Sequence, residues 1–264
     1  RPAEPDDRGV KVLVTGASGV LGRRVVERLV SGGHTVRAAG RRQDAGLPAG
    51  AQAVRLDIAT GAGLAEAVSG VEAIVHCATD PRRHREVDME GRRRMLEGVA
   101  GGSPHIVFPG IVGADVVPLR YYASKVAVEE LLAGSGMPWT ILRATQFHHL
   151  VWYVLSRLAR LPVLPVPSQV RFQVIDPGLV ADRLAAAVEA GPRGRLPDLG
   201  GPHAYQAKDL ASSYLAATRR WKPVLPLPIP GIVGAALRAG GNLTPNRAEG
   251  SPTWNDFVAH QIAR

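Results

Sequence analysis

Val10-Lys11-Val12-Leu13-Val14-Thr15-Gly16-Ala17-Ser18-Gly19-Val20-Leu21-Gly22 decides the fold. Residues 10–15 are mostly β-branched and apolar, as expected of a strand covered on both faces. Three glycines follow at the spacing G-x-x-G-x-x-G. From Val20 the apolar side chains recur at helical intervals as far as Ser31, where Gly32-Gly33 stop the helix. In a strand–turn–helix unit one such glycine permits a sharp turn. Another lets backbone approach a pyrophosphate, and the third lets the helix pack on the strand. The helix start offers unpaired N–H groups and the positive end of its dipole to an anion. A glycine triplet alone is a weak signal, and its place between a strand and a helix gives it weight.

Outward from this unit, short apolar runs alternate with amphipathic stretches. Strands are expected at 35–39, 53–56, 73–77, 105–108 and 139–143, and helices at 64–69, 87–100 and 121–133. The alternation implies right-handed crossovers and an α/β fold, a Rossmann-type doubly wound parallel sheet. After residue 146 prolines break the pattern. A strand at 171–175 and a helix at 179–190 are expected to rejoin the main sheet. Helices near 207–217 and 232–239 are expected to build a small C-terminal lobe. The resulting organisation is a flexible tail (1–9) and one NAD(P)-binding domain (10–264). Its substrate-covering lobe comes mainly from 146–170 and 202–264.

The end of the second strand selects the cofactor. NAD sites place Asp or Glu about 20 residues after the turn, for the ribose 2′-hydroxyl. This chain reads Arg37-Ala38-Ala39-Gly40-Arg41-Arg42, with no acid until Asp44. A carboxylate would repel a 2′-phosphate, whereas Arg41 and Arg42 can pair with it, so NADP(H) is the expected cofactor. Further along, Tyr121 and Lys125 stand four apart on a predicted helix and share a face. A nearby ammonium stabilises a phenolate, which suits acid–base work; the same spacing also fits an ordinary exposed pair.

Composition bounds the partners. The chain has 264 residues, 45% of them apolar, and a net charge of +9. Most of the basic excess is Arg, and it reads as solvated surface. The clusters Arg82-Arg83-His84-Arg85 and Arg92-Arg93-Arg94 lack interleaved aromatics, so no nucleic acid is expected. No apolar stretch reaches the ~20 residues that span a bilayer, so no membrane partner is expected either. The polar opening, residues 1–9, does not read as a signal peptide, and the single Cys77 fits a reducing cytoplasm. Cys77 reads as a small core residue. His148 and His149 are adjacent rather than at helical ligand spacing, so no metal site is expected. The oligomeric state is open.

The turn Thr15–Gly22, the Tyr121-Tyr122-Ala123-Ser124-Lys125 segment and Leu142-Arg143-Ala144-Thr145-Gln146-Phe147 together resemble the short-chain dehydrogenase/reductase superfamily. The similarity is to its atypical NmrA-like, NAD(P)H-binding branch. It extends through Phe172–Asp176, Asp198–Pro202 and Thr253-Trp254. The resemblance implies that Gly16, Ser18, Gly19, Val20, Leu21 and Gly22 hold the pyrophosphate and that Arg41 and Arg42 hold the 2′-phosphate. It places Asp57 and Ile58 beside adenine, Ala78 and Thr79 on the passage to the nicotinamide, and Ala144, Thr145, Gln146 and Phe147 around that ring. Tyr121 would be the proton donor and Lys125 its partner. One departure stands out: relatives usually carry Ser or Thr at the end of the fifth strand, and here Gly110 occupies that place. Thr79, Thr145, Tyr122 or a substrate hydroxyl would have to stand in. The implied activity is NADPH-dependent reduction of a carbonyl on a bulky, apolar small molecule, quinone-like or an aromatic polyketide. A non-enzymatic NADP(H)-sensing regulator and a redox-neutral enzyme are the rivals.

Overall fold

The computed structural model describes residues 9–42, 46–81, 83–99 and 102–263. β1 (Lys11–Thr15) runs into the glycine turn and α1 (Val20–Ser31) leaves it. There follow β2 (Thr35–Gly40), β3 (Gln52–Arg55), α2 (Leu64–Val68) and β4 (Ala73–His76). A π-helical turn (Arg85–Glu90) continues directly into α3 (Gly91–Gly98). Next come β5 (His105–Ile111), α4 (Arg120–Ala133), β6 (Trp139–Ala144) and α5 (His148–Leu158). Beyond these lie β7 (Leu164–Pro167), β8 (Arg171–Gln173), α6 (Pro177–Ala190) and β9 (Gly194–Arg195). The chain closes with β10 (Ala204–Gln206), α7 (Ala207–Ala217), β11 (Val224–Leu227), α8 (Gly231–Arg238) and α9 (Trp254–Ile262). The tail 1–8, Asp44, Arg82 and Ala100 lie outside the described residues.

Seven strands form one parallel sheet in the order β3-β2-β1-β4-β5-β6-β9. This is the doubly wound order, and its reversal point lies between β1 and β4. The crossover there sets the carboxyl end of β1, Thr15-Gly16, beside the end of β4, with Thr15 level with His76.

The chain divides into two compact units. One comprises Arg1–Pro109, Ser124–Leu142 and Ala181–Leu196, and holds most of the sheet. Its core stacks Leu13, Ile74, Ile106 and Phe108 of the strands against Met95 of α3 and Val128 and Leu132 of α4. These are the apolar runs and helical stripes of the sequence, buried on both sheet faces as parallel strands require.

The other unit comprises Gly110–Ala123, Arg143–Val180 and Pro197–Arg264. Leu164, Tyr214, Trp254 and Phe257 centre its core. Here the structure departs from the expected pattern. Residues 171–173 do not join the main sheet; β8 pairs antiparallel with β10 in a separate two-stranded sheet. Only Ile175 bridges back, to Phe147 just beyond β6. β7 and β11, absent from the sequence reading because prolines punctuate both, form a parallel ribbon with Leu164 beside Val224 and Leu227 beside Pro167. The N–H groups of Leu164 and Ser168 donate to Pro223 and Leu227 carbonyls, so Pro165 and Pro167 alternate with the donating positions.

His148 opens α5 inside this core, fully buried and stacked on Phe257 with ring centroids 5.1 Å apart. Burial pushes its imidazole from the usual 6.5 down to about 4. Between those values the unfolded chain binds the proton and the folded chain does not, so stability rises with pH across that window. The contribution is complete above pH 6.5 and is lost as pH falls to about 4; it amounts to about 3 kcal/mol. We expect His148→Phe to flatten this slope relative to the parent protein in chemical denaturation at stepped pH. Parallel slopes in the two proteins would refute the assignment.

Candidate cofactor and catalytic site

The three glycines of the turn have separable jobs. Gly16 sits at φ +66°, and a Cβ there would lie 2.7 Å from the Ala78 nitrogen. A Cβ on Gly22 would lie 2.2 Å from the Gly16 carbonyl oxygen. Both are therefore required by the protein's own backbone, one for β1 against the β4 end and one for α1 against the turn. Gly19 differs. It caps α1, is exposed, and a Cβ there would meet only the Gly16 oxygen, at 3.1 Å. Ser18, Gly19 and Val20 thus present an open helix N-terminus with no side-chain cap, the geometry that receives a phosphate. The Ala17 N–H donates to the Ala39 carbonyl at 3.2 Å and ties this turn to the end of β2. Arg41 and Arg42 leave β2 there, both exposed. This cradle fits a dinucleotide diphosphate.

Asp57 follows β3 half-buried, and its carboxylate accepts the Ala59 N–H at 3.0 Å, which fixes the loop; Ile58 beside it is buried. At the end of β4, Thr15 Oγ1 accepts the Ala78 N–H at 3.3 Å and is hydrogen-bonded to His76 Nδ1 at 2.9 Å. Burial, with Arg92 and Lys125 near, holds His76 well below its usual value, so it is neutral. Burial also pushes the Cys77 thiol up to about 12, which leaves it unreactive.

A cluster that the sequence reading missed surrounds Lys125. The buried Asp88 carboxylate lies 2.6 Å from the Lys125 ammonium. Thr79 donates to the same carboxylate at 2.8 Å and accepts from Lys125 at 3.0 Å. The Asp80 N–H reaches the second Asp88 oxygen at 3.3 Å. One helical turn on, Arg92 is 0% exposed, its guanidinium 4.4 Å above the Phe108 ring; Lys125 lies 5.2 Å from that same ring. Burial pulls Arg92 down to about 9 and lowers Lys125, and Asp88 opposes both shifts. One carboxylate therefore compensates two desolvated cations. Next to Lys125 on α4, Ser124 is hydrogen-bonded to His84 Nδ1 at 2.6 Å. Asp88 and Arg92 fall on the apolar stripe that Met95 and Val99 continue, and charges on such a stripe signal a buried pair. Their position departs from the expected helix 87–100, because Asp88 sits in the π-helical turn that precedes α3. Such turns recur at functional sites.

In the second unit, Tyr121 and Tyr122 open α4, half-buried, with ring centroids 6.3 Å apart. Burial pushes the Tyr122 phenol above its usual value, so it stays protonated. Gly110 is buried near the end of β5 and offers no hydroxyl. Ala144 is buried, and Val112 donates its N–H to the Ala144 carbonyl at 3.0 Å. Thr145 is buried too, its hydroxyl accepting the Gly201 N–H at 3.2 Å. Of the three side-chain hydroxyls that could replace the missing Ser, Thr79 has committed its proton to Asp88, whereas Thr145 accepts from Gly201 and keeps its own proton. Among the described residues no group of three His, Cys, Asp or Glu is placed to hold a metal, and no helix is long and apolar enough to cross a membrane.

Comparison with known proteins bears on this arrangement. A family model described as NAD(P)H-binding matches residues 16–149, half of the chain. An uncharacterized protein of Mycobacterium tuberculosis (strain ATCC 25618 / H37Rv) is 31% identical over 191 residues, which is 69% of this chain but 21% of that protein. The chain thus spans about a fifth of that relative's length. Quinone oxidoreductase 2 of Escherichia coli (strain K12) is 28% identical over 218 residues, 76% of this chain and 72% of its own. A crystal structure of an NADPH-dependent quinone oxidoreductase from Escherichia coli, complexed with NADPH, superimposes with a TM-score of 0.78 at 20% identity, covering 95% of this chain and 99% of that one. Fold, glycine turn and family match agree: the chain belongs to the NAD(P)H-binding family and has a Rossmann-type α/β fold.

Proposed function

We propose that this protein is an NADPH-dependent reductase acting on the carbonyl of a bulky, apolar, quinone-like or polyketide-like small molecule. The observation that carries the reading is α4, where Tyr121 and Lys125 stand one turn apart and Lys125 is fixed by Asp88 and Thr79. The reductase activity named for the Escherichia coli relative supports it. NADPH, when bound, supplies the hydride. Gly16, Ser18, Gly19, Val20, Leu21 and Gly22 hold the pyrophosphate, and Asp57, Ile58, Ala78, Thr79, Ala144 and Thr145 line the rest of the cofactor's path. Tyr121 gives its phenolic proton to the carbonyl oxygen as negative charge develops there. Lys125 orients the ribose and favours the phenolate left behind. With Gly110 silent, the Tyr122 phenol and the Thr145 hydroxyl are the side-chain donors left to that oxygen.

The test is NADPH oxidation against a panel of quinones and bulky ketones, with deuterium transfer from labelled NADPH into the product. Transfer to one face of a carbonyl supports the reading. Tight NADPH binding with no oxidation across the panel overturns it. That outcome favours the second reading, an NADP(H)-binding regulator, which draws on the Thr79 hydroxyl committed to Asp88 and the silent Gly110.

Cofactor choice gives a separate expectation. Arg41 and Arg42 stand exposed beside the phosphate turn. Charge-assisted bonds contribute about 1.5–3 kcal/mol each, so NADPH should bind at least roughly tenfold tighter than NADH. Arg41→Ala should weaken NADPH and leave NADH nearly unchanged in fluorescence titration. Equal affinities in the parent protein would refute this.

A further inference from the structure

The second unit carries an apolar surface that neither its core nor the proposed chemistry uses. α7 ends in a left-handed turn at Arg219 (φ 52°), closed by the Arg220 N–H on the Leu215 carbonyl at 3.0 Å. A non-glycine residue in that conformation costs free energy, yet it directs the following residues away from the helix. Trp221 emerges from it 92% exposed. Beyond it, β11 presents Leu225, Pro226 and Leu227 to solvent, and Ile232 at the start of α8 is 74% exposed. Leu161 and Val163, also exposed, lie at the same end of the ribbon as Trp221, because β7 and β11 run parallel and the Lys222 ammonium donates to the Leu161 carbonyl at 2.6 Å. A shallow apolar groove of about 290 Å³, lined by residues 165–167 and 227–230, continues this surface. Soluble proteins rarely leave so continuous an apolar strip without a use for it.

The segments that build the strip carry charge of one sign. The sequence has no Asp or Glu between Glu130 and Asp176, and none between Asp209 and Glu249. Arg160, Arg219 and Arg220 stand exposed at the Trp221 end. We infer that this face docks on the surface of an anionic phospholipid bilayer. Trp221 would seat its ring at the headgroup level, the apolar side chains of β11 and α8 would enter the acyl boundary, and the arginines would meet lipid phosphates. This is surface contact and needs no spanning helix. A second copy of the chain suits the face poorly, since a two-fold contact would bring the arginines of both copies into one interface to which these segments contribute no acid. The inference does not depend on the reductase reading.

The test is co-sedimentation of the full chain with vesicles of equal phosphatidylglycerol and phosphatidylcholine, and with phosphatidylcholine alone, alongside tryptophan emission. The expected result is binding to the anionic vesicles only, with a blue-shifted emission, and release near 1 M salt, where the screening length falls to about 3 Å. Arg219→Gln with Arg220→Gln should weaken binding roughly twenty-five-fold, at about fivefold per arginine. Trp221→Ser should abolish the emission shift; so exposed a side chain can be replaced without loss of the fold, which NADPH titration checks. Failure to sediment at low salt overturns the inference, as does binding undiminished in both variants. A dimer that Trp221→Ser dissociates, in a protein that ignores vesicles, would assign the face to a second copy and overturn it too.

Discussion

Tyr121→Phe is expected to lower turnover of the carbonyl substrate by ~10²–10⁴ while NADPH still binds. The substitution keeps the ring, its place at the start of α4 and its tilted packing on Tyr122, and removes only the hydroxyl. What is lost is the proton delivered as the alkoxide forms, a contribution made in the transition state and not in cofactor binding. Tyr122→Phe is the companion variant. Its phenol, held protonated by burial, can donate a hydrogen bond but is poorly suited to give up its proton, so its loss should cost less. Near-full turnover in Tyr121→Phe, with a collapse in Tyr122→Phe, would exchange the two roles.

The second large effect concerns Asp88. Its carboxylate is the counter-charge to both Lys125 and Arg92, all three buried. Removing one member of such a group leaves charge in the interior without compensation, typically at about 3–5 kcal/mol. Asp88→Leu should therefore lower stability by about that amount and the melting temperature by roughly 10 °C or more. Asp88→Asn, which keeps the shape and some hydrogen bonds, should fall between. Chemical denaturation of the three proteins checks this. Should Asp88→Leu lie within about 0.5 kcal/mol of the parent, the cluster is not holding buried charge and the account of Lys125 given above fails.

How far the sequence could be read follows from where periodicity is clean. The sheet of the first unit was legible because its strands are apolar runs punctuated by helices, and because Gly16-x-x-Gly19-x-x-Gly22 marks one strand–helix junction unambiguously. The second unit was less legible. Proline reads as a breaker, yet in β7 and β11 it falls at alternate positions that need no donor, so two strands form where a loop was expected. Residues 171–175 looked like one strand, but their two ends find different partners, β10 and the extension of β6. In the site, Lys125 was visible as half of a spaced pair. Asp88, which pairs with its ammonium, was not, because only tertiary packing brings a residue of the π-helical turn against α4. The two charges on the α3 stripe held the clue: an apolar face interrupted by Asp88 and Arg92 predicts a buried ion group.

The alternation of prolines in the β7–β11 ribbon has a consequence for how this protein behaves in crowded solution. A two-stranded apolar sheet with both edges bare is an invitation to recruit a third strand from a neighbour and to seed aggregation. Leu164 and Ser168 turn their N–H groups inward to β11, so the outward positions of β7 belong to Pro165 and Pro167, which have none to give. On β11 the carbonyls of Pro223 and Leu227 face β7, which leaves Pro226 on the outer side. The outer edge of β7 is thereby stripped of donors at Pro165 and Pro167, and that of β11 loses one at Pro226. Restoring them, for instance with Pro165→Val and Pro226→Val, keeps the apolar face unchanged but opens both edges. The altered protein should form sheet-rich aggregates on storage at concentrations where the parent stays clear, which thioflavin fluorescence and light scattering would follow.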